Sequence, residues 1–235
     1  MVLLLFGPPG CGKGTQSRLI ANWLNIPAIS TGEMLRAELR AGSDLGKVAQ
    51  SIMASGGLVD DGLINKMLLV RVCQDDCSTG FMLDGYPRTV QQAEFLDGVL
   101  KKQSFCTLSG PVVLHFDVPT DALVGRMTSR RQCPKCARVY NLLSEPPKAP
   151  GLCDDDGALL ITRKDDQEHV FRERLRMYDD VTRPVLAYYQ DRNYHQIRGD
   201  RSASYIFEEI TGILEPMFST TLSPMSSKNG AGGKS

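Results

Sequence analysis

Five apolar residues in a row, Val2-Leu3-Leu4-Leu5-Phe6, end at Gly7, and a run of this length without polar alternation predicts a strand buried on both faces of a parallel sheet. Shorter runs of the same kind recur at Pro27 to Ser30, Phe81 to Leu83, Val112 to Phe116 and, more weakly, Tyr194 to Ile197. Long stretches with helical spacing separate them. That alternation predicts an α/β fold, a doubly wound sheet of about five parallel strands. Between the second and third strands the helical period repeats over Glu33 to Arg40, Leu45 to Ser55 and Gly62 to Cys73. This is more chain than one crossover uses, so part of it is expected to stand off the sheet as an insertion. From Arg131 to Thr162 no period holds. Pro146-Pro147, Pro150-Gly151 and Asp154-Asp155-Asp156-Gly157 mark turns, and the segment is not expected to build a core of its own. Helices resume at Asp165 to Arg192, with a bend expected near Pro184, and at Ser202 to Phe218. The stretch 219–235, rich in Ser, Gly and Lys, is expected to be disordered.

Composition narrows the function classes. A chain of 235 residues with 42% hydrophobic residues suits one main domain carrying small insertions. Lysine and arginine number 27 against 27 aspartates and glutamates, so no broad basic field is present to drive nonspecific nucleic-acid binding. The run Val2 to Phe6 is far shorter than the ~20 residues that span a bilayer, and no basic stretch precedes it. A monomer in the cytoplasm, with neither nucleic acid nor membrane as partner, is the expectation. Seven cysteines, an odd number, favour free thiols and a metal site over a disulfide framework.

The segment Gly7-Pro8-Pro9-Gly10-Cys11-Gly12-Lys13-Gly14-Thr15 follows the first strand directly and opens a helical pattern, the context of a phosphate-binding loop. Glycines let backbone N–H groups turn inward around a polyphosphate, the helix N-terminus adds partial positive charge, and Lys13 reaches the terminal phosphates. Gly14 occupies the usual Ser/Thr slot, which leaves Thr15 as the hydroxyl near a metal ion. The third strand closes on Asp84, the placement of a carboxylate that holds the waters of Mg²⁺. Arg88 emerges just beyond it, on the strand edge where open parallel sheets bind ligands. Further along, Cys133 and Cys136 form a two-residue knuckle, and Cys153 with Asp156 repeats that gap after sixteen intervening residues. Three thiolates and a carboxylate in this spacing suit tetrahedral Zn²⁺, a structural ion in a segment without a core. Cys73, Cys77 and Cys106 read as small packing residues, and His115, His169 and His195 are too scattered to form a ligand set.

Four segments, Gly7 to Gln16 (GPPGCGKGTQ), Ser30 to Arg36 (STGEMLR), Asp84 to Gln92 (DGYPRTVQQ) and Arg163 to Arg174 (RKDDQEHVFRER), together resemble the adenylate kinases in order and spacing, over about residues 1–216. The resemblance implies a P-loop core (1–29, 60–126 and 163–218), a helical AMP-binding insertion (30–59) and a zinc-type lid (127–162). It implies ATP, AMP and ADP as partners, with Mg²⁺ accompanying ATP. Gly10, Cys11, Gly12, Lys13, Gly14 and Thr15 match the ATP loop. Thr31, Arg36, Val59, Gly85, Arg88 and Gln92 match the AMP site, with Arg88 on its phosphate and Gln92 on its adenine. Arg126, Arg130, Arg163 and Arg174 match phosphate-contacting arginines; Arg126 and Arg130 contact ATP, Arg163 and Arg174 serve the AMP side, and all four join Lys13, Asp84 and Arg88 as the implied catalytic set. Arg126 and Arg130 are expected one turn apart on a single helix. Asp165 and Asp166 resemble hinge acids that position these arginines. Arg131, Arg172, Arg176 and Arg183 read as an ordinary solvated face. Glu33 stands where Asp is commoner and Gly57 where a long side chain is frequent. The rival readings are a kinase of UMP/CMP or GMP and, from another class, a nucleotide-dependent binding switch.

Overall fold

The computed structural model describes residues 1–103 and 110–219. Cys106, and all but the first residue of the expected disordered tail, lie outside the described residues. Five strands, β1 (Val2–Phe6), β2 (Ala28–Ser30), β3 (Phe81–Asp84), β4 (Val112–Asp117) and β7 (Tyr194–Arg198), form one parallel sheet in the order β2-β3-β1-β4-β7. The two remaining strands, β5 (Arg130–Gln132) and β6 (Val139–Asn141), pair antiparallel away from it. Nine helices accompany them among the described residues: α1 (Lys13–Leu24), α2 (Thr31–Arg40), α3 (Asp44–Ala54), α4 (Asp61–Val72), α5 (Val90–Gln103), α6 (Thr120–Thr128), α7 (Glu168–Met177), α8 (Arg183–Tyr189) and α9 (Ala203–Ser219).

The unbroken apolar run of β1 has the cause inferred from sequence. Val2, Leu4 and Phe6 point into one core with residues of α4, α5 and α8, while Leu3 and Leu5 point into a second core with α1, α6, α7 and α9. Each face of the strand therefore buries its own alternate set, and polar residues have no place in it. β1 pairs with β3 on one side and β4 on the other, with Leu5 opposite Asp84 and Phe6 opposite His115. The loops leaving β1 and β3 open on the same sheet edge, where chain connections diverge to opposite sides of β1.

Two expectations shift in detail. The helix expected from Asp165 begins at Glu168, because Lys164–Asp166 forms a 3-10 turn whose carboxylates are drawn to arginines. The bend expected near Pro184 is a wider π turn at Tyr178–Thr182 that runs directly into α8, with Pro184, which has no N–H to give, in the first turn of α8. The 131–162 segment also holds more order than its composition announced: the β5–β6 pair and a small buried cluster of Cys133, Tyr140 and Cys153.

Candidate active site

A cleft of about 940 Å³ runs along the open sheet edge, and every residue that the sequence reading placed against nucleotide lines it. Its floor is the loop between β1 and α1. Gly7, Gly10 and Gly12 take φ values of 148°, 83° and 98°, and at Gly10 a Cβ would stand 3.0 Å from Met127, so glycine there meets both a left-handed backbone and a close approach. Gly12 and Gly14 have open space where a Cβ would project. Lys13 begins α1 and folds over the loop, its Nζ donating to the carbonyls of Gly7 at 2.6 Å and Pro8 at 3.0 Å. Cys11 is buried beneath, 3.5 Å from the same Nζ.

The wall is built at the ends of β2 and β3. Thr31 Oγ1 donates to the Gly85 carbonyl at 3.0 Å, and Arg88 Nε donates to the same oxygen at 2.8 Å, tying α2 to the loop after β3. Burial pushes the Arg88 guanidinium down from the usual arginine range, Asp84 and Asp165 pull it up, and Arg36 adds to the depression. Val59 is buried at the cleft margin, and Gln92 is buried at the start of α5 with one hydrogen bond at each end of its side-chain amide.

Arginines converge from the opposite side. Arg130 makes a two-pronged pair with the buried Asp166; Arg174 reaches Asp165 at 2.8 Å and Asp166 at 3.7 Å. Arg163 donates to Glu33 at 2.8 Å and to the Gln132 carbonyl oxygen of the side-chain amide. Burial, together with neighbouring arginines, lowers both Arg163 and Arg174 to about 10. Arg126 donates to the Gly199 carbonyl at 2.7 Å. It sits in the last turn of α6, but Arg130 is the first residue of β5, so the two do not share a helix face as expected; the helix stops at Thr128, with Ser129 as its cap. Among the described residues Lys13, Arg88 and Arg126 have no carboxylate within ion-pair distance, while Arg131, Arg172, Arg176 and Arg183 lie outside the cleft. An excess of half-buried cations around a glycine-rich loop at a helix N-terminus is complementary to a polyphosphate.

Two residues to which the sequence reading gave no role, Glu33 and Gln132, organise this cluster. Glu33 Oε1 accepts from Arg36 at 2.7 Å and from Arg163 at 2.8 Å, joining α2 to a residue far along the chain. Gln132 bridges the same pair, donating to Glu33 at 3.4 Å while accepting from Arg163. The Glu33–Arg36 spacing of three residues was readable as a helical pair; its reach to Arg163 was not, because only the folded chain brings the two together.

At the end of the β5–β6 pair, Cys133, Cys136, Cys153 and Asp156 each present one ligand atom, all within 4.8 Å of one another. Cys133 Sγ lies 3.2 Å from Asp156 Oδ2, and Cys136 Sγ lies 3.5 Å from Cys153 Sγ. A tetrahedral Zn²⁺ with bonds of about 2.3 Å to sulfur and 2.0 to 2.2 Å to oxygen sets its ligands roughly 3.5 to 3.8 Å apart, so the cluster fits such an ion. The Ala158 N–H, 2.9 Å from Oδ1, holds the Asp156 carboxyl down at about 2, which keeps that oxygen ionised. Tyr140 OH donates to Cys153 Sγ at 3.4 Å and accepts from the Asp154 N–H at 2.8 Å, an outer contact that orients the thiol. Asp154 and Asp155 turn instead to Arg138.

Comparison with known proteins agrees with the geometry. Residues 5–194 match the family described as "Adenylate kinase". A curated adenylate kinase from Oceanobacillus iheyensis is 44% identical over 216 residues, 92% of this chain and 99% of that protein. One from Thermotoga neapolitana is 48% identical over 188 residues, 80% of this chain and 84% of that protein. A third, from Pseudothermotoga lettingae, is 39% identical over 220 residues, covering 93% and 100%.

Proposed function

The chain belongs to the adenylate kinase family, and on that premise we propose how its residues divide the reaction ATP + AMP ⇌ 2 ADP. The single observation that carries the assignment is the set of cleft cations, Lys13, Arg88 and Arg126, that have no carboxylate partner beside a glycine loop built for phosphate. Phosphoryl transfer needs little covalent help and much positioned positive charge, because negative charge spreads over the transferring group.

In this reading the backbone of Gly10 to Thr15 cradles the ATP phosphates and Lys13 reaches the terminal one, with Arg126 and Arg130 closing on them. Arg88 and Arg36 hold the AMP phosphate, Arg163 and Arg174 bridge the two nucleotides, and Thr31, Val59, Gly85 and Gln92 surround the adenosine. Transfer is direct and in line, without a phosphoenzyme. Asp84, through water, and the Thr15 hydroxyl would hold the Mg²⁺ that travels with ATP, an ion that neutralises charge between the phosphates. Cys133, Cys136, Cys153 and Asp156 would hold Zn²⁺. Four protein ligands leave no open position for substrate, so that ion fixes shape and takes no part in transfer.

The functional division follows: core 1–29, 60–126 and 163–218, AMP-binding insertion 30–59, lid 127–162. The contacts Arg18–Glu145 and Gln132–Glu33, which join the lid to the core and to the AMP-binding insertion, support a lid that comes down over both nucleotides and excludes water, the competing acceptor. The balanced charge supports action on small nucleotides without nucleic acid as partner; among the described residues no helix is long and apolar enough to cross a membrane.

A panel of monophosphate acceptors with ATP and Mg²⁺, read as diphosphate formed, tests the reading. AMP is expected to exceed GMP, CMP and UMP by orders of magnitude in kcat/KM. Comparable use of UMP would move the chain to a sister specificity. Nucleotide binding without turnover on any acceptor would make it a binding switch.

A further inference from the structure

The buried Gln92 amide is held at both ends. Its Nε2 donates to Asp61 Oδ1 at 2.6 Å, and its Oε1 accepts from the Arg88 backbone N–H at 2.8 Å. The chemistry of these partners leaves no choice of orientation: an ionised carboxylate only accepts, a backbone N–H only donates, and a flipped amide would oppose like with like at both ends. Asp61, at the first position of α4, is itself fixed by Thr89 Oγ1, which donates to Oδ2 at 2.5 Å, and Thr89 Oγ1 also accepts from the Gln92 N–H at 3.1 Å. Tyr86 OH, with one proton to give, lies 3.1 Å from the Gln92 carbonyl and 2.6 Å from the Asn65 side-chain amide, so the backbone beneath the amide is anchored as well. Only one proton of Nε2 and one lone pair of Oε1 remain for a ligand in the cleft, in an order that cannot be exchanged.

We infer that Asp61 is a specificity-determining positioning residue, which locks the Gln92 amide so that it matches a base edge with an amino donor beside a ring-nitrogen acceptor and rejects the reverse. Adenine presents that order at N6 and N1. Guanine and uracil present a carbonyl oxygen beside a ring N–H, which would set donor against donor and acceptor against acceptor. Cytosine presents the same order as adenine, so the lock does not act on it, and only its size and position distinguish it. The inference rests on the reading that Gln92 faces the acceptor base.

Asp61→Asn replaces an obligate acceptor by a group that can present either end, with little change of shape, and Asp61→Ala removes the partner outright. The assay is kcat/KM for AMP, GMP, UMP and CMP at saturating Mg-ATP, with KM for ATP measured alongside and folding verified by thermal melting. The lock requires the AMP:GMP and AMP:UMP ratios to fall by roughly tenfold in both variants, the scale of one hydrogen bond to a charged group, while AMP:CMP and KM for ATP hold within about twofold. The Arg88 N–H remains, so discrimination is weakened and not abolished. Gln92→Leu is the control for the underlying reading. If it destroys AMP preference while the Asp61 variants keep all three ratios, the lock is wrong. If Gln92→Leu leaves AMP preference intact, Gln92 does not read the base, and the inference falls with that reading. A uniform loss across all four acceptors in the Asp61 variants would show a merely structural role and also overturn it.

Discussion

Arg88→Ala should cost activity and leave the fold standing, and the structure gives both magnitudes. The Arg88 side chain makes one hydrogen bond, from Nε to the Gly85 carbonyl at 2.8 Å, and no ion pair among the described residues, while its backbone bond to Gln92 survives substitution. Losing one such bond costs about 1 kcal/mol, and relief of the buried guanidinium offsets part of that. For a chain of this size the melting temperature should therefore fall by no more than about 2 to 4 °C. Transition-state stabilisation is another matter, because a preorganised donor aimed at developing phosphate charge contributes about 2.7 to 4 kcal/mol, or a hundred- to a thousandfold in kcat. Steady-state ADP formation, analysed for kcat and for each KM, with thermal melting of the same preparations, reads both numbers. Lys13→Ala should behave alike, since among the described residues its Nζ is engaged only by loop atoms, the Gly7 and Pro8 carbonyls and Cys11 Sγ. Arg130→Ala offers the contrast: it leaves the fully buried Asp166 carboxylate with only the longer Arg174 contact at 3.7 Å and should destabilise by up to about 3 to 5 kcal/mol, so its activity loss would be mixed with unfolding. Near-full activity in a folded Arg88→Ala protein would refute its placement at phosphate. A collapse in melting temperature would refute the claim that its work lies in the reaction.

Protein purified without chelator should carry about one zinc per chain by elemental analysis, and Cys153→Ser should melt at lower temperature while keeping part of its activity in the cold; metal-free native protein would contradict this. Asp156→Cys should still load zinc, because a thiolate is an equally suitable ligand. Acid should loosen the arginine cluster. Burial pushes the Glu33 carboxyl up, but Arg36 and Arg163 outweigh it; in Asp165, Arg174 and Arg36 outweigh burial in the same way, so both lie below the ordinary carboxylate range. Depressed carboxyls stabilise the fold above their unfolded pKa, about 4, and that stabilisation is lost as pH falls through the lower folded values. Melting of a Glu33→Gln, Asp165→Asn double variant should thus depend less steeply on pH below about 4 than the parent, and equal slopes would argue against the cluster.

The phosphate loop was legible because its chemistry is local: strand, glycine turn, lysine and helix follow one another within Val2 to Leu24. The same holds for the Cys133 and Cys136 knuckle, whose partners repeat its spacing. What escaped depends on contacts between distant segments. Gln132 is an unremarked polar residue in the chain, yet folding buries it between Glu33 and Arg163. Asp61 reads as a helix-start acid beside the Asp60 cap, and only the packing of α4 against α5 turns it toward Gln92. The end of α6 was missed for a related reason: Arg126 and Arg130 have helical spacing, but tertiary pairing of Arg130 to Gln132 with Val139 to Asn141 takes the second arginine into a strand.

The central claim is direct phosphoryl transfer from ATP to AMP within this cleft. Purified protein, Mg²⁺, ATP labelled in its terminal phosphoryl group and excess AMP test it most directly. The label should appear in ADP in step with ATP consumed, inorganic phosphate should stay at background, and no label should remain on denatured protein. Label released chiefly as inorganic phosphate, or retained covalently on the chain, would contradict the account.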